Sequence, residues 1–163
     1  MGQEMRKFIA IVIVVLGTTA GVSWVGQGAA SGSGPKADDG RLVRQSSPEA
    51  VVAEHVAALN ECDVDRLMAQ YPQSVVILLP GGLTVEGRAD VRALFEGFCA
   101  GLSGLHFEAV KSWTVGKTVN LQRVATAPFL AAPYYGADAY ETHAGLLEAQ
   151  LTTFDAAELQ FAA

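Results

Sequence analysis

Cysteine and histidine are scarce in this 163-residue sequence, with two of the first and three of the second. Cys62 and Cys99 lack the CxxC spacing of a redox or zinc site, and His55, His106 and His143 fall at no metal-ligating interval, so neither a metal nor a cofactor is expected. There is no GxSxG elbow. Gly116, Lys117 and Thr118 end like a phosphate loop, but Lys111 stands where the first glycine is required, and a hairpin turn is the simpler reading. Basic residues are the minority, eleven Lys and Arg against seventeen Asp and Glu, and beyond Ala30 nine against sixteen. So acidic a surface repels nucleic acid and anionic lipid, which excludes both as expected partners. The two cysteines either pair in an oxidising compartment or lie as separately buried thiols. The second is the expectation, because free cysteine is usually core.

One long apolar run is present, over residues 8–25, preceded by Arg6 and Lys7 and followed by the small residues Gly28, Ala29 and Ala30. The pattern is that of an export signal cut after Ala30. At about 18 apolar residues an uncleaved membrane anchor is the alternative, and it would be the only contact with a membrane. Either places the remainder outside the cytoplasm, periplasmic or secreted. Residues 31–45 hold Gly, Ser, Pro and charge without apolar periodicity, and read as a flexible leader that packs against nothing. Residues 46–163 suffice for one domain with one core.

Within that domain Ser46 or Ser47 can cap a helix, with Pro48 and Glu49 in its first turn. Val52, Val56 and Leu59 recur on one stripe, with Val51, His55 and Ala58 on the next. Asp63 caps a second helix that buries Val64, Leu67, Met68 and Tyr71 before Pro72 stops it. The β-branched run 74–79 reads as a strand, turned by Pro80, Gly81 and Gly82 into an extended piece through Val85. Gly87 precedes a third helix carrying Val91, Leu94, Phe95, Phe98 and Leu102 on one face. Past Gly104 the period becomes extended, with strands expected over 106–115, 118–130, 137–142 and 146–154. Helices first and antiparallel strands afterwards imply an α+β domain with its helices on one face of the sheet.

Three motifs in this order carry a resemblance. VAALN at 56–60 is followed by xxDxDxLxxxY ending at Tyr71, and Gly87 by AxxxALFxxF. Gly136, Asp138, Tyr140 and Gly145 spell GxDxYxxxxG, with Phe154 and Asp155 closing the last strand. The pattern, over about residues 47–161, resembles the nuclear transport factor 2-like superfamily, which includes ketosteroid isomerases and SnoaL-like polyketide cyclases. The resemblance implies a strongly curved, cone-shaped sheet with three helices packed on it, enclosing a pocket. Ketosteroid isomerases have a tyrosine just before VAALN that helps stabilise an oxyanion; here that position is His55. It could donate a hydrogen bond or move a proton, or it could be a core histidine with one satisfied nitrogen.

The isomerases also carry an aspartate base just before the proline that ends the first strand. That position is Leu79, which moves no proton, so steroid isomerisation by that route is not expected, and Val75, Ile77 and Leu79 make the wall more apolar. Asp138 is the remaining acid. On an apolar inner wall a carboxyl keeps its proton more readily and can donate as well as accept, whereas at a strand end it would only stabilise a turn beside Gly136. Tyr140 shares its strand face. Tyr71, Trp113 and Phe154 are the aromatic candidates for the pocket lining.

These residues imply an exported domain binding a small, largely apolar molecule. His55 and Asp138 would carry any acid–base chemistry without cofactor, of cyclase, dehydratase or isomerase type. A non-catalytic binding protein, favoured by Leu79, is the first alternative. A module that forms a homodimer through the open sheet, a habit of the superfamily, is the second.

Overall fold

Ser47 starts the first helix as its sequence implies. In the computed structural model, which describes residues 40–162, its side chain accepts a hydrogen bond from Ala50 N at 3.2 Å. Helix α1, Pro48–Asn60, follows. Asp63 caps α2, Val64–Met68, in the same way, accepting from Arg66 N at 3.0 Å. Strands β1, Val76–Leu79, and β2, Leu83–Glu86, are joined by the tight turn Pro80–Gly82. Gly87, at φ 81°, supplies the left-handed backbone that turns the chain into α3, Arg88–Gly101. The buried Arg88 guanidinium donates to the carbonyls of Met68 and Tyr71, tying the start of α3 to the end of α2.

Strands β3, His106–Val115, β4, Thr118–Thr126, β5, Tyr134–His143, and β6, Leu146–Thr152, complete the sheet. Its order is β2-β1-β6-β5-β4-β3. Neighbours are antiparallel except β1 and β6, which run parallel and bring the strand after α2 beside the last one. Several strand ends differ from expectation: β1 starts at Val76 rather than at 74, β6 ends at Thr152 rather than at 154, and β4 and β5 differ most. Strand β4 stops at Thr126, just ahead of Pro128, and β5 starts at Tyr134, right after Pro133, because proline cannot donate to a ladder. The three helices pack against this sheet as an α+β cone. One apolar cluster joins α1, α2 and α3 to β1 and β6 through Val51, Leu67, Ile77, Val91 and Leu147, and a second gathers around Phe107, Leu102 and Ala125.

Asn60, the last residue of α1, reaches β3: its Nδ2 donates to Phe107 O and its Oδ1 accepts from Phe107 N, both at 2.8 Å. The cysteines correct the expectation of separate thiols. Cys62 follows α1, Cys99 lies in the last turn of α3, their Cα atoms are 5.6 Å apart, and they form a disulfide. The spacing of one residue in the break after α1 and another in α3 could not show that these segments converge.

The export signal or anchor expected over residues 1–30, and the leader up to 39, lie outside the described residues. Among the described residues no helix is long and apolar enough to cross a membrane. The end of the leader does pack: Val43 N donates to Ala69 O at 2.8 Å and Gln45 N to Gly145 O at 2.9 Å. Gly145 permits this, since a Cβ there would run into the Gln45 backbone.

Candidate functional site

Strand alternation aims one polar set inward. On β4 the buried residues are Val119, Leu121, Arg123 and Ala125; on β5 they include Asp138, Tyr140 and Thr142; on β6 Gln150 is buried and Thr152 partly so. Register brings them together, with Arg123 opposite Gly136, Asp138 opposite Thr152 and Tyr140 opposite Gln150. Above them lie Val56 and Leu59 of α1 and Leu94, Phe95 and Phe98 of α3. Between these layers is a cavity of about 80 Å³, closed at its sides by Ile77, Leu79, Phe107 and Phe154.

Asp138 is the hub. Its Oδ2 accepts from Arg123 Nε at 2.6 Å and from the Tyr140 hydroxyl at 3.2 Å. Its Oδ1 accepts from Arg123 Nη2 at 3.1 Å, the Thr152 hydroxyl at 2.7 Å and Thr153 N at 3.1 Å. The two charged side chains are each 4% exposed. Removing either would strand a charge in low dielectric. Arg123 also lies among rings, with its Cζ 5.2 Å from the centroid of Phe107, 5.5 Å from Phe154 and 6.0 Å from Tyr134. Its floor is Gly136, where a Cβ would sit 2.8 Å from Nη1.

This arrangement removes the basis for Asp138 as a proton donor. Five donor atoms surround it, two of them from one guanidinium, so both oxygens are engaged as acceptors. Burial, with the Asp138 charge adding to it, raises the Tyr140 hydroxyl well above the usual tyrosine range and keeps it protonated.

Of the residues singled out from the sequence, Leu79, Asp138, Tyr140 and Phe154 line the cavity, and Tyr71, His55 and Trp113 do not. His55 is wholly buried behind the wall, with its ring 5.3 Å from Tyr140 and 5.9 Å from Phe95. Its Nδ1 meets the Tyr71 hydroxyl at 3.0 Å, and that hydroxyl donates to Gln150 Oε1 at 3.3 Å. The direction of the Nδ1–Tyr71 hydrogen bond follows the imidazole tautomer, and Nε2 has no partner among the described residues. Burial lowers the His55 pKa to about 4, opposed by the nearby negative charge of Asp138, so the ring is neutral at neutral pH.

Trp113 is 44% exposed on the outer face, beneath the Lys111 ammonium. The cause is a bulge in β3: Ala109 pairs with Arg123 but Lys111 with Gln122, so one extra residue reverses the alternation begun at Phe107. Sequence reading missed Arg123, Gln150 and Thr152. Arg123 had a signal, since in VNLQRVAT it shares its alternation face with Val119, Leu121 and Ala125 and is the one polar residue on it.

Three helices over a six-stranded sheet, closing on a small apolar cavity with one buried polar centre, define a cone-type α+β domain. The SnoaL-like domain model matches residues 52–150, and the chain belongs to that family. Solved structures share the fold. A putative ketosteroid isomerase from Kribbella flavida DSM 17836 is 16% identical with a TM-score of 0.58, over 66% of this chain and 77% of that one. A putative polyketide cyclase from Sinorhizobium meliloti is 14% identical with a TM-score of 0.57, over 63% and 93%. TerC, co-crystallised with polyporic acid, is 15% identical with a TM-score of 0.58, over 68% and 92%. No curated protein matches in sequence.

Proposed function

We propose that this chain is a binding domain for a small, largely apolar molecule held in the cavity between the sheet and helices α1 and α3. The observation that carries the reading is the character of the wall. Nine of its fourteen residues are apolar or phenylalanine, and its only charges neutralise each other. Burying an apolar surface there gains about 25 cal/mol per Å². A similar fold holding polyporic acid is consistent with this use. Acid–base catalysis is the weaker reading, because Asp138 is saturated with donors and His55 stands behind the wall. Titration with toluene and cyclohexane, followed through the methyl resonances of Ile77, Leu79 and Leu94, tests the binding reading. Saturable shifts confined to those methyls are expected, and their absence for both compounds refutes it.

Two further parts of the proposal concern setting. The domain is exported, a reading favoured by the disulfide, which persists where thiols are kept oxidised. A mature chain beginning at Ser31 in the exported fraction supports cleavage, and an intact chain in the membrane fraction supports the anchor. It works as a homodimer through the outer sheet face, where Val110, Trp113, Val115, Tyr135 and Leu151 expose apolar surface. Sedimentation tests this: the wild type is expected as a dimer and Trp113→Lys as a monomer.

A further inference from the structure

The polar groups on the cavity wall differ in what they have left to offer. Both Asp138 oxygens are taken, and the Tyr140 and Thr152 hydroxyls each spend their proton on them. The Thr152 oxygen also accepts from Phe154 N. One group on the wall retains unused hydrogens within reach of a ligand: Gln150, whose Oε1 is held by Tyr71, has no partner for Nε2 among the described residues. It is a donor. Arg123 Nη1 has no partner among the described residues either, but it is fully buried over Gly136 and out of a ligand's reach. The positive charge of Arg123 is already balanced by Asp138 in a bidentate pair, so a second anion beside it would be desolvated without a counter-charge.

Resting on the binding reading above, we infer that Gln150, beside the neutralised Arg123–Asp138 pair, selects an uncharged ligand bearing a hydrogen-bond acceptor, a carbonyl oxygen above all, over a carboxylate or a plain hydrocarbon. His55 and Tyr71 are positioning residues in this scheme. The chain from His55 Nδ1 through the Tyr71 hydroxyl to Gln150 Oε1 fixes which end of the amide is held and which remains for the ligand. The cavity, about 80 Å³ against about 300–1,000 Å³ for ordinary ligand pockets, restricts the partner to a compact molecule.

The test titrates the full chain with cyclohexanone, with methylenecyclohexane, in which CH₂ replaces the oxygen, and with cyclohexanecarboxylate, read through the same methyl resonances. The ketone is expected to bind about fivefold tighter than the olefin, as one hydrogen bond from a neutral amide implies, and the carboxylate weakest. Equal affinity for ketone and olefin overturns the inference while leaving the binding reading standing; no binding by either overturns both. Tightest binding by the carboxylate overturns the neutral-ligand assignment. Gln150→Met is expected to shrink the ketone's advantage at least threefold, the Tyr71 hydroxyl turning to His55 Nδ1 instead. An unchanged advantage removes Gln150 from the scheme. In the wild type, the Gln150 side-chain NH₂ resonances are expected to shift with cyclohexanone and not with methylenecyclohexane, and their failure to do so counts against it whatever the variant's stability.

Discussion

Replacing Gly136 by alanine is the sharpest test of whether the Arg123 guanidinium is pinned. Nothing in the backbone forbids the change, because the left-handed φ that restricts Gly81 or Gly145 is not found at Gly136. At an ordinary site, loss of unfolded-state freedom would make Gly→Ala stabilising by about 0.4–1 kcal/mol. Here the new Cβ would lie 2.8 Å from Nη1 and 3.0 Å from both Cζ and Nη2. Carbon contacts settle at about 3.5–4 Å, so the guanidinium has to lift by roughly 0.5–1 Å. A free arginine would do so at little cost. This one is held at 2.6 and 3.1 Å by Asp138 and hemmed in by Phe107, Phe154 and Tyr134, so lifting stretches the longer bond out of reach. Breaking a buried pair outright costs about 3–5 kcal/mol, and losing about half of it, less the entropic gain, leaves a net destabilisation of about 1–2 kcal/mol. Urea unfolding of wild type and Gly136→Ala, with the disulfide intact in both, measures it. In an Arg123→Met/Asp138→Leu background the penalty should vanish and the alanine become neutral or stabilising. A neutral or stabilising Gly136→Ala in the wild-type background refutes the pinned ion pair.

Two other perturbations read out separate parts of the structure. Cys62→Ser/Cys99→Ser opens a loop with a sequence separation of 37 and should lower unfolding stability by about 4 kcal/mol in the chain-entropy account, measurable as a lower urea midpoint. The His55 pKa is about 4 in the folded chain against an ordinary 6.5. The stability from keeping it neutral is therefore complete above pH 6.5 and declines as pH falls towards 4, by about 3 kcal/mol at most. His55→Leu should flatten the stability–pH curve across that window, and an unchanged slope would show that the imidazole is not held neutral by burial.

The order of helices and strands was legible because it is written in short-range chemistry: the caps at Ser47 and Asp63, the stop at Pro72, the turn glycines at 81, 82, 87 and 145. Leu79, Tyr140 and Phe154 were legible too, since alternation or motif position places them on the wall. What failed did so for non-local reasons. Trp113 was lost to a one-residue bulge that no composition marks. The Cys62–Cys99 bond depends on how α3 lies against the α1–α2 break. Asp138 was found by its motif, but its role depended on Arg123 in the neighbouring strand. A carboxyl that reads as an isolated acid along one strand becomes half of an ion pair once register sets Arg123 opposite Gly136, two residues before it.

The same register explains why Leu79 and Arg123 belong to one design. A base on β1 would face the cavity from beside β6, where Gln150 and Thr152 already supply polar groups. With leucine there, all charge in the cavity is confined to β4 and β5, and it sums to zero. On a wall of that kind the one carboxylate has both oxygens engaged as acceptors within an ion pair. The glycine of the GxDxY pattern then has a physical reason: it is the floor that lets the guanidinium lie flat enough to reach Asp138 with both Nε and Nη2. Among SnoaL-like chains, an arginine at the inward position opposite that glycine should therefore accompany an apolar residue at the end of the first strand. Chains that keep an acid at the end of that strand should have a different residue there, because the acid would compete with the aspartate for the guanidinium.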